Sequence, residues 1–165
     1  MLSLYATPKK SVAEAVERLR ANGFLIGSTT GYTDKMMEIV VPEAKKLGYY
    51  PDTWFSPDST GHKGRPYPYM AFRNIEALGL KSVKEAVKIG DTVSDIKEGK
   101  NAGMLSFGVV VGSSEMGLAE EEYESLSEES KIKACAAVSE KFMASGADGV
   151  FKSLDDFADY LTGQG

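Results

Sequence analysis

The sequence predicts an α/β fold of three layers, with a mostly parallel sheet covered by helices on both faces. Three observations carry this. Short apolar runs alternate with segments of helical period along the whole chain of 165 residues, and such alternation places a crossover helix between parallel strands. Asn22-Gly23, Gly48, Gly79 and Gly103 each close a helical segment, as glycine does after a helix end. The run Ala86-Val87-Lys88-Ile89 ends in Gly90-Asp91 and turns into a helix start at Thr92.

The elements follow in order. Pro8 opens a helix over residues 8–21, with Val12, Val16 and Leu19 as its apolar stripe. Residues 24–28 read as a strand that breaks into the turn and cap Thr29 to Thr33. A helix over 34–47 contains Pro42, which is expected to kink or split it. A short strand at 53–56 leads into a loop at 57–66, then a helix at 67–78. The strand 86–90 and the helix 92–102 follow, then a strand at 105–111. An acidic, solvated stretch at 120–129 precedes an amphipathic helix at 131–144, a strand at 150–152 and a helix at 154–161. Residues 162–165 read as a frayed tail. No repeat, low-complexity segment or linker divides the chain, so residues 1–165 are expected to form a single domain.

Composition narrows the function. Hydrophobic content of 42% and charged content of 26% lie in the soluble globular range. A net charge of −5 with no basic block argues against a nucleic-acid or anionic-membrane partner. No apolar run approaches membrane-spanning length. Met1-Leu2-Ser3-Leu4 is too short and uncharged for a secretory signal. The single cysteine, Cys135, excludes an internal disulfide and fits a reducing cytoplasm. It lies among alanines in a helical pattern, as a core residue rather than a nucleophile.

Four stretches can carry chemistry. Asp91 stands at the carboxyl end of a strand, where open α/β sheets bind ligands. Asp95, one helical turn on, can face the same way, and two converging carboxylates suit a hard cation such as Mg²⁺. The plain alternative is a helix capped by Thr92, with Asp95 answering its dipole. In Gly27 to Thr33, hydroxyls and glycines at a strand-to-helix turn can donate to phosphate oxygens, or Thr33 can simply cap the next helix. In Gly61 to Pro68, Arg65 is restrained by Pro66 and can grip two phosphate oxygens. His62 and Lys63 read as exposed. Gly112 to Leu118 reads equally as a ligand-approaching loop or as a turn. Met36, Met37, Tyr67, Tyr69 and Phe72 read as core or helix-face residues. The set amounts to a phosphate site beside a metal site.

This order of motifs resembles the haloacid dehalogenase superfamily of hydrolases and, within it, the phosphonoacetaldehyde hydrolases. The similar strings are GSTTGYT at 27–33, GRPYP at 64–68, KIGDTVSD at 88–95, EGKNAGM at 98–104 and GSSEMGL at 112–118. The resemblance implies a Rossmann-like core. Thr30 becomes the phosphate-binding hydroxyl, with Thr29, Gly31 and Tyr32 beside the substrate. Arg65 takes the place usually held by lysine, Asp91 binds Mg²⁺, and Asp95 supports the site through hydrogen bonds or water. In that family a cap lysine forms an imine with the aldehyde of the substrate, an aspartate attacks phosphorus, and the products are acetaldehyde and phosphate.

The departure from the family pattern is equally specific. The family's nucleophilic aspartate follows its first strand and precedes the cap, yet Asp34 is the first aspartate of this chain. The resemblance thus implies an N-terminally truncated core lacking that strand and cap, inactive alone. Its expected partners are a small phosphorylated or phosphonate substrate and a separate N-terminal half. Without the strand, its two neighbours would stand roughly 10 Å apart, twice the normal spacing. The alternatives are a phosphatase of the same superfamily and a non-catalytic phosphate- or metal-binding module.

Overall fold

A computed structural model describes residues 10–163. Its helices are α1 (Lys10–Ala21), α2 (Asp34–Lys46), α3 (Tyr69–Ala77), α4 (Val93–Ala102), α5 (Glu120–Glu124), α6 (Glu128–Ala144) and α7 (Leu154–Thr162). Its strands are β1 (Gly27–Thr29), β2 (Thr53–Phe55), β3 (Val87–Gly90), β4 (Leu105–Val109) and β5 (Gly149–Phe151). Every strand pairing is parallel: Ser28 lies opposite Trp54, Ile89 opposite Phe107, and Gly108 opposite Val150.

Two apolar layers sandwich the strands. On one face Ala15, Val16 and Leu19 of α1, Met37 and Ala44 of α2, and Phe157 and Ala158 of α7 pack with Phe107 of β4. On the other face Ile96 of α4 packs with Val138 and Phe142 of α6, and Ala71 of α3 with Ala102 and Met104. Alternation along β4 serves both faces, since successive side chains point opposite ways.

Several expectations are corrected. The first strand lies at β1 rather than at 24–28. The Phe24 N–H goes back to the Leu19 carbonyl, and the Ile26 carbonyl is taken by the Asp52 and Thr53 N–H groups. Phe24 to Ile26 therefore close the turn out of α1 before the ladder begins. Of the two outcomes expected at Pro42, a kink or a split, the split does not occur: α2 runs unbroken from Asp34 to Lys46. Burial of Met37 and Ala44 on either side of the proline holds the helix together. The acidic stretch holds α5, and α6 begins at Glu128 rather than at 131, capped by Ser127. Pro8, the first four residues and the last two lie outside the described residues.

A mostly parallel sheet with two strands left about 10 Å apart was expected, and here the strands form two sheets. Among the described residues, β1 pairs with β2 in a two-stranded sheet, and β3, β4 and β5 form a three-stranded sheet in that order. A cavity of about 450 Å³ separates β1 from β3, walled by Phe24, Ile26, Leu78, Ile89, Met104 and Phe157. No helix among the described residues is long and apolar enough to cross a membrane.

Candidate functional site

The carboxyl ends of β1 and β3 carry the candidate residues. Thr30, directly after β1, is fully buried. Its N–H donates to the Phe55 carbonyl across the two-stranded sheet (3.3 Å). Its hydroxyl oxygen accepts from the Tyr32 N–H at 3.1 Å, which leaves the hydroxyl hydrogen to donate. Thr33 caps α2 by accepting from the Met36 N–H, so this turn both caps a helix and presents Thr30. Tyr32 packs part of its ring against the core.

Arg65 reaches this turn from the loop before α3. A Cβ on Gly31 would stand 3.4 Å from Arg65 Nη2, so one end of the guanidinium comes close to Gly31, the residue after Thr30. The loop is pinned by Asn101, whose Nδ2 donates to the Pro66 carbonyl at 2.8 Å. Arg65 Nη1 donates to Asp95 Oδ1 at 2.5 Å, with the two side chains 14% and 0% exposed. The other Asp95 oxygen, Oδ2, accepts from the Thr92 N–H at 3.2 Å and the Thr92 hydroxyl at 2.8 Å. The Thr92 hydroxyl in turn accepts from the Asp95 N–H, which completes a capping box at the start of α4. Gly90 makes room for this carboxylate: a Cβ there would fall 2.3 Å from the Asp95 Cβ.

Beneath Asp95 lies a buried ionic cluster. Lys88 Nζ is 2.7 Å from Glu98 Oε1 and 3.5 Å from Asp95 Oδ1. It also donates to the Thr29 hydroxyl at 2.8 Å, and that hydroxyl donates to Glu98 Oε1 at 2.7 Å. The Thr29 side chain is thus engaged below the site, which differs from its expected place beside a ligand. Burial pulls the Lys88 ammonium down, but the Glu98 and Asp95 carboxylates outweigh it and hold it above its ordinary value. Burial pushes the Asp95 carboxyl up. Cations around it, Lys88 and Arg65 among them, prevail and hold it well below the usual carboxylate range.

Asp91 has a different setting. Its carbonyl accepts from the Ser113 hydroxyl at 2.6 Å. Its carboxylate accepts from the Ser114 N–H (3.3 Å) and hydroxyl (3.1 Å), both on Oδ2. Among the described residues this leaves Oδ1 to meet a cation. Glu115 of the same loop accepts from the Val93 N–H at 2.9 Å and so caps α4. The loop after β4 is therefore both a turn and the brace of Asp91.

One carboxylate at a strand end fits Mg²⁺, which keeps several waters and takes few protein ligands. No group of three or more His, Cys, Asp or Glu side chains that could hold a metal occurs among the described residues. The expected convergence of two carboxylates on one cation is corrected, because both Asp95 oxygens are used inside the protein.

The remaining candidates lie apart. His62 is exposed, 3.4 Å from Asp58, and Lys63 lies over the Tyr69 ring. Met37 is core, whereas Met36, Tyr67, Tyr69 and Phe72 are exposed. Sequence reasoning missed Lys88 and Glu98, and left the stretch that holds Ser113, Ser114 and Glu115 open between a ligand-approaching loop and a turn. A signal existed for the first: a lysine between two apolar residues of a buried strand needs a buried partner.

Three kinds of similarity bear on this geometry. Residues 1–103 match the family described as haloacid dehalogenase-like hydrolase. The phosphonoacetaldehyde hydrolase of Lysinibacillus sphaericus is 49% identical over 155 residues, which cover 94% of this chain and 58% of that protein. A bifunctional phosphonoacetaldehyde hydrolase/aminoethylphosphonate transaminase of Clostridioides difficile is 48% identical over 160 residues, 97% of this chain and 25% of that one. The crystal structure of a phosphonoacetaldehyde hydrolase-like protein from Oleispira antarctica matches with a TM-score of 0.86 at 30% identity, covering 92% of this chain and 55% of that one. A hydrolase of the same superfamily from Deinococcus radiodurans, with bound phosphate and sodium, shares the fold at a TM-score of 0.69 and 22% identity, over 96% of this chain and 60% of that one. The chain spans 58% of the length of its Lysinibacillus relative.

Proposed function

The chain belongs to the haloacid dehalogenase-like hydrolases, and from that premise we propose that it supplies the phosphate- and Mg²⁺-binding part of a phosphonoacetaldehyde hydrolase. The substrate is a small phosphonate, and the reaction cleaves its carbon–phosphorus bond to give acetaldehyde and phosphate. The observation that carries the reading is Arg65, held by Asp95 at 2.5 Å with its Nη2 brought close to Gly31, the residue after Thr30.

In this reading Arg65 binds two phosphonyl oxygens, and the Thr30 hydroxyl donates to a third. Asp95 keeps the guanidinium aimed. Asp91, braced by Ser113 and Ser114, holds Mg²⁺, which when bound supplies positive charge against the phosphonyl oxygens. Each of these groups stabilises charge and orients the substrate, and none of them attacks phosphorus. None of the matched motifs supplies a nucleophile or an imine-forming lysine, so the 165-residue chain is expected to be inactive alone.

The test has two parts. Titration calorimetry should register binding of inorganic phosphate that Arg65→Ala weakens about tenfold or more. Acetaldehyde release from phosphonoacetaldehyde should then appear once the chain is mixed with the segment of a phosphonoacetaldehyde hydrolase that lies outside the matched region. Phosphate binding indifferent to Arg65→Ala, or release of phosphate from phosphate esters in place of acetaldehyde, would overturn the reading.

A further inference from the structure

The three buried charges at the site and the half-buried Arg65 are more than the phosphate reading uses. Arg65 and Asp95 have roles in it, whereas Lys88 and Glu98 touch no ligand position. We propose that Lys88 is a positioning residue of the phosphate site: its ammonium, held between Glu98 and Thr29, braces Asp95 and through it the Arg65 guanidinium. This rests on the phosphate reading and adds a residue to it.

Stability alone does not account for the pair. A buried Lys–Glu pair is about as stable as an apolar pair of equal volume, or less so, because desolvation offsets the attraction. Here the network is also incompletely satisfied, for Glu98 Oε2 is buried with no hydrogen-bond partner. Such a network costs stability where it stands.

Its placement is what the pair contributes. The cluster touches both sides of the anion site. Thr29, which precedes Thr30 on β1, bonds to Lys88 and Glu98. Asp95, on the β3 side, takes Lys88 and Arg65 on the same oxygen, Oδ1. Lys88 thereby ties the Thr30 turn to the Arg65 anchor across two sheets that share no strand pairing among the described residues. It also divides the charge of Asp95. Lys88 and Arg65 both draw on that one oxygen.

The test removes the pair as a unit, with Lys88→Met and Glu98→Leu combined so that no lone charge stays buried. Three measurements are made: the melting temperature, the affinity for inorganic phosphate by calorimetry, and the ¹⁵Nε–H NMR signal of Arg65, assigned with Arg65→Lys. The melting temperature should hold, phosphate affinity should fall about tenfold, and the discrete Arg65 signal of the free protein should average away. In an Asp95→Asn background the same pair of substitutions should cause no further loss of affinity, because Lys88 acts through Asp95.

Unchanged affinity in the folded double variant overturns the proposal. So does a loss that persists undiminished in the Asp95→Asn background. Phosphate binding that ignores Arg65→Ala sinks the phosphate reading instead, and the Arg65 signal of the free protein still decides the bracing. If the double variant does not fold, the isosteric Glu98→Gln replaces it. That change loosens Lys88 from its seat, and an Arg65 signal left unaltered by it overturns the proposal.

Discussion

Asp95 uses both carboxylate oxygens inside the protein, and this makes the fold acid-sensitive in a defined direction. Its folded-state carboxyl is held well below its ordinary value, whereas in the unfolded chain it returns to about 3.9. The stability it contributes is fully present above the unfolded value and is lost as pH falls toward the folded one. Asp95→Asn should therefore cost about 3 kcal/mol at neutral pH, and the variant should lose less than the parent on acidification below about pH 5. Urea unfolding at a series of pH values measures both; parallel curves for the two proteins would refute the assignment. Asp91 carries the complementary expectation. Asp91→Asn should abolish Mg²⁺ binding by calorimetry while leaving the melting temperature nearly unchanged, since its carboxylate meets only Ser114 among the described residues. The spacing of the two aspartates was legible in the sequence, as was the strand end that places them. Their division of labour was not. Helical periodicity says which side chains share a face, but not that a lysine one strand position before Ile89 would reach the second carboxylate.

Among the elements, α2 departs most from local preference. Pro42 removes the N–H that would meet the Glu38 carbonyl four residues back, a defect of about 3 kcal/mol in a helix interior. The helix persists because Met37 and Ala44 are fully buried in the apolar cluster that also holds residues of α1 and α7, and helices in proteins take most of their stability from such packing. Pro42→Ala should raise the melting temperature by restoring the hydrogen bond, and a drop would mean that the proline ring fills space the alanine leaves empty. The displacement of β1 has a related cause. The apolar run 24–28 faces the core in part: Phe24 and Ile26 pack against it, while Leu25 is exposed. Ladder hydrogen bonds begin only where β2 begins, at Thr53. A single run cannot disclose the register of its partner. By contrast α4 agrees at every level: Thr92 caps it, Asp95 closes the box, and Gly103 ends it in the left-handed conformation. There sequence and structure coincide to within one residue.

At the scale of the molecule, the gap between β1 and β3 is the feature on which the proposed chemistry depends. Parallel sheets bind ligands outside the carboxyl ends of their strands, and Thr30 and Asp91 follow two strands that do not pair with each other among the described residues. The cavity between them is walled chiefly by apolar side chains, Phe24, Ile26, Leu78, Ile89, Met104 and Phe157. An extended apolar segment laid parallel to both strands would pair its backbone on either side and alternate its side chains into the two apolar layers, the geometry of strand addition. Its carboxyl end would then emerge between Thr30 and Asp91, where the proposed reaction places an attacking carboxylate. Such a segment binds the folded chain alone, so it should raise the melting temperature in a concentration-dependent way, by about 3 kcal/mol of added stability at a hundredfold excess over its dissociation constant. A peptide with the same composition in scrambled order should not, because the alternation of side chains would be lost. Calorimetric scans with each peptide decide the matter. Equal stabilisation by both would mean that the cavity takes apolar mass without register, and a strand-borne nucleophile could not then be delivered to a fixed point beside Arg65.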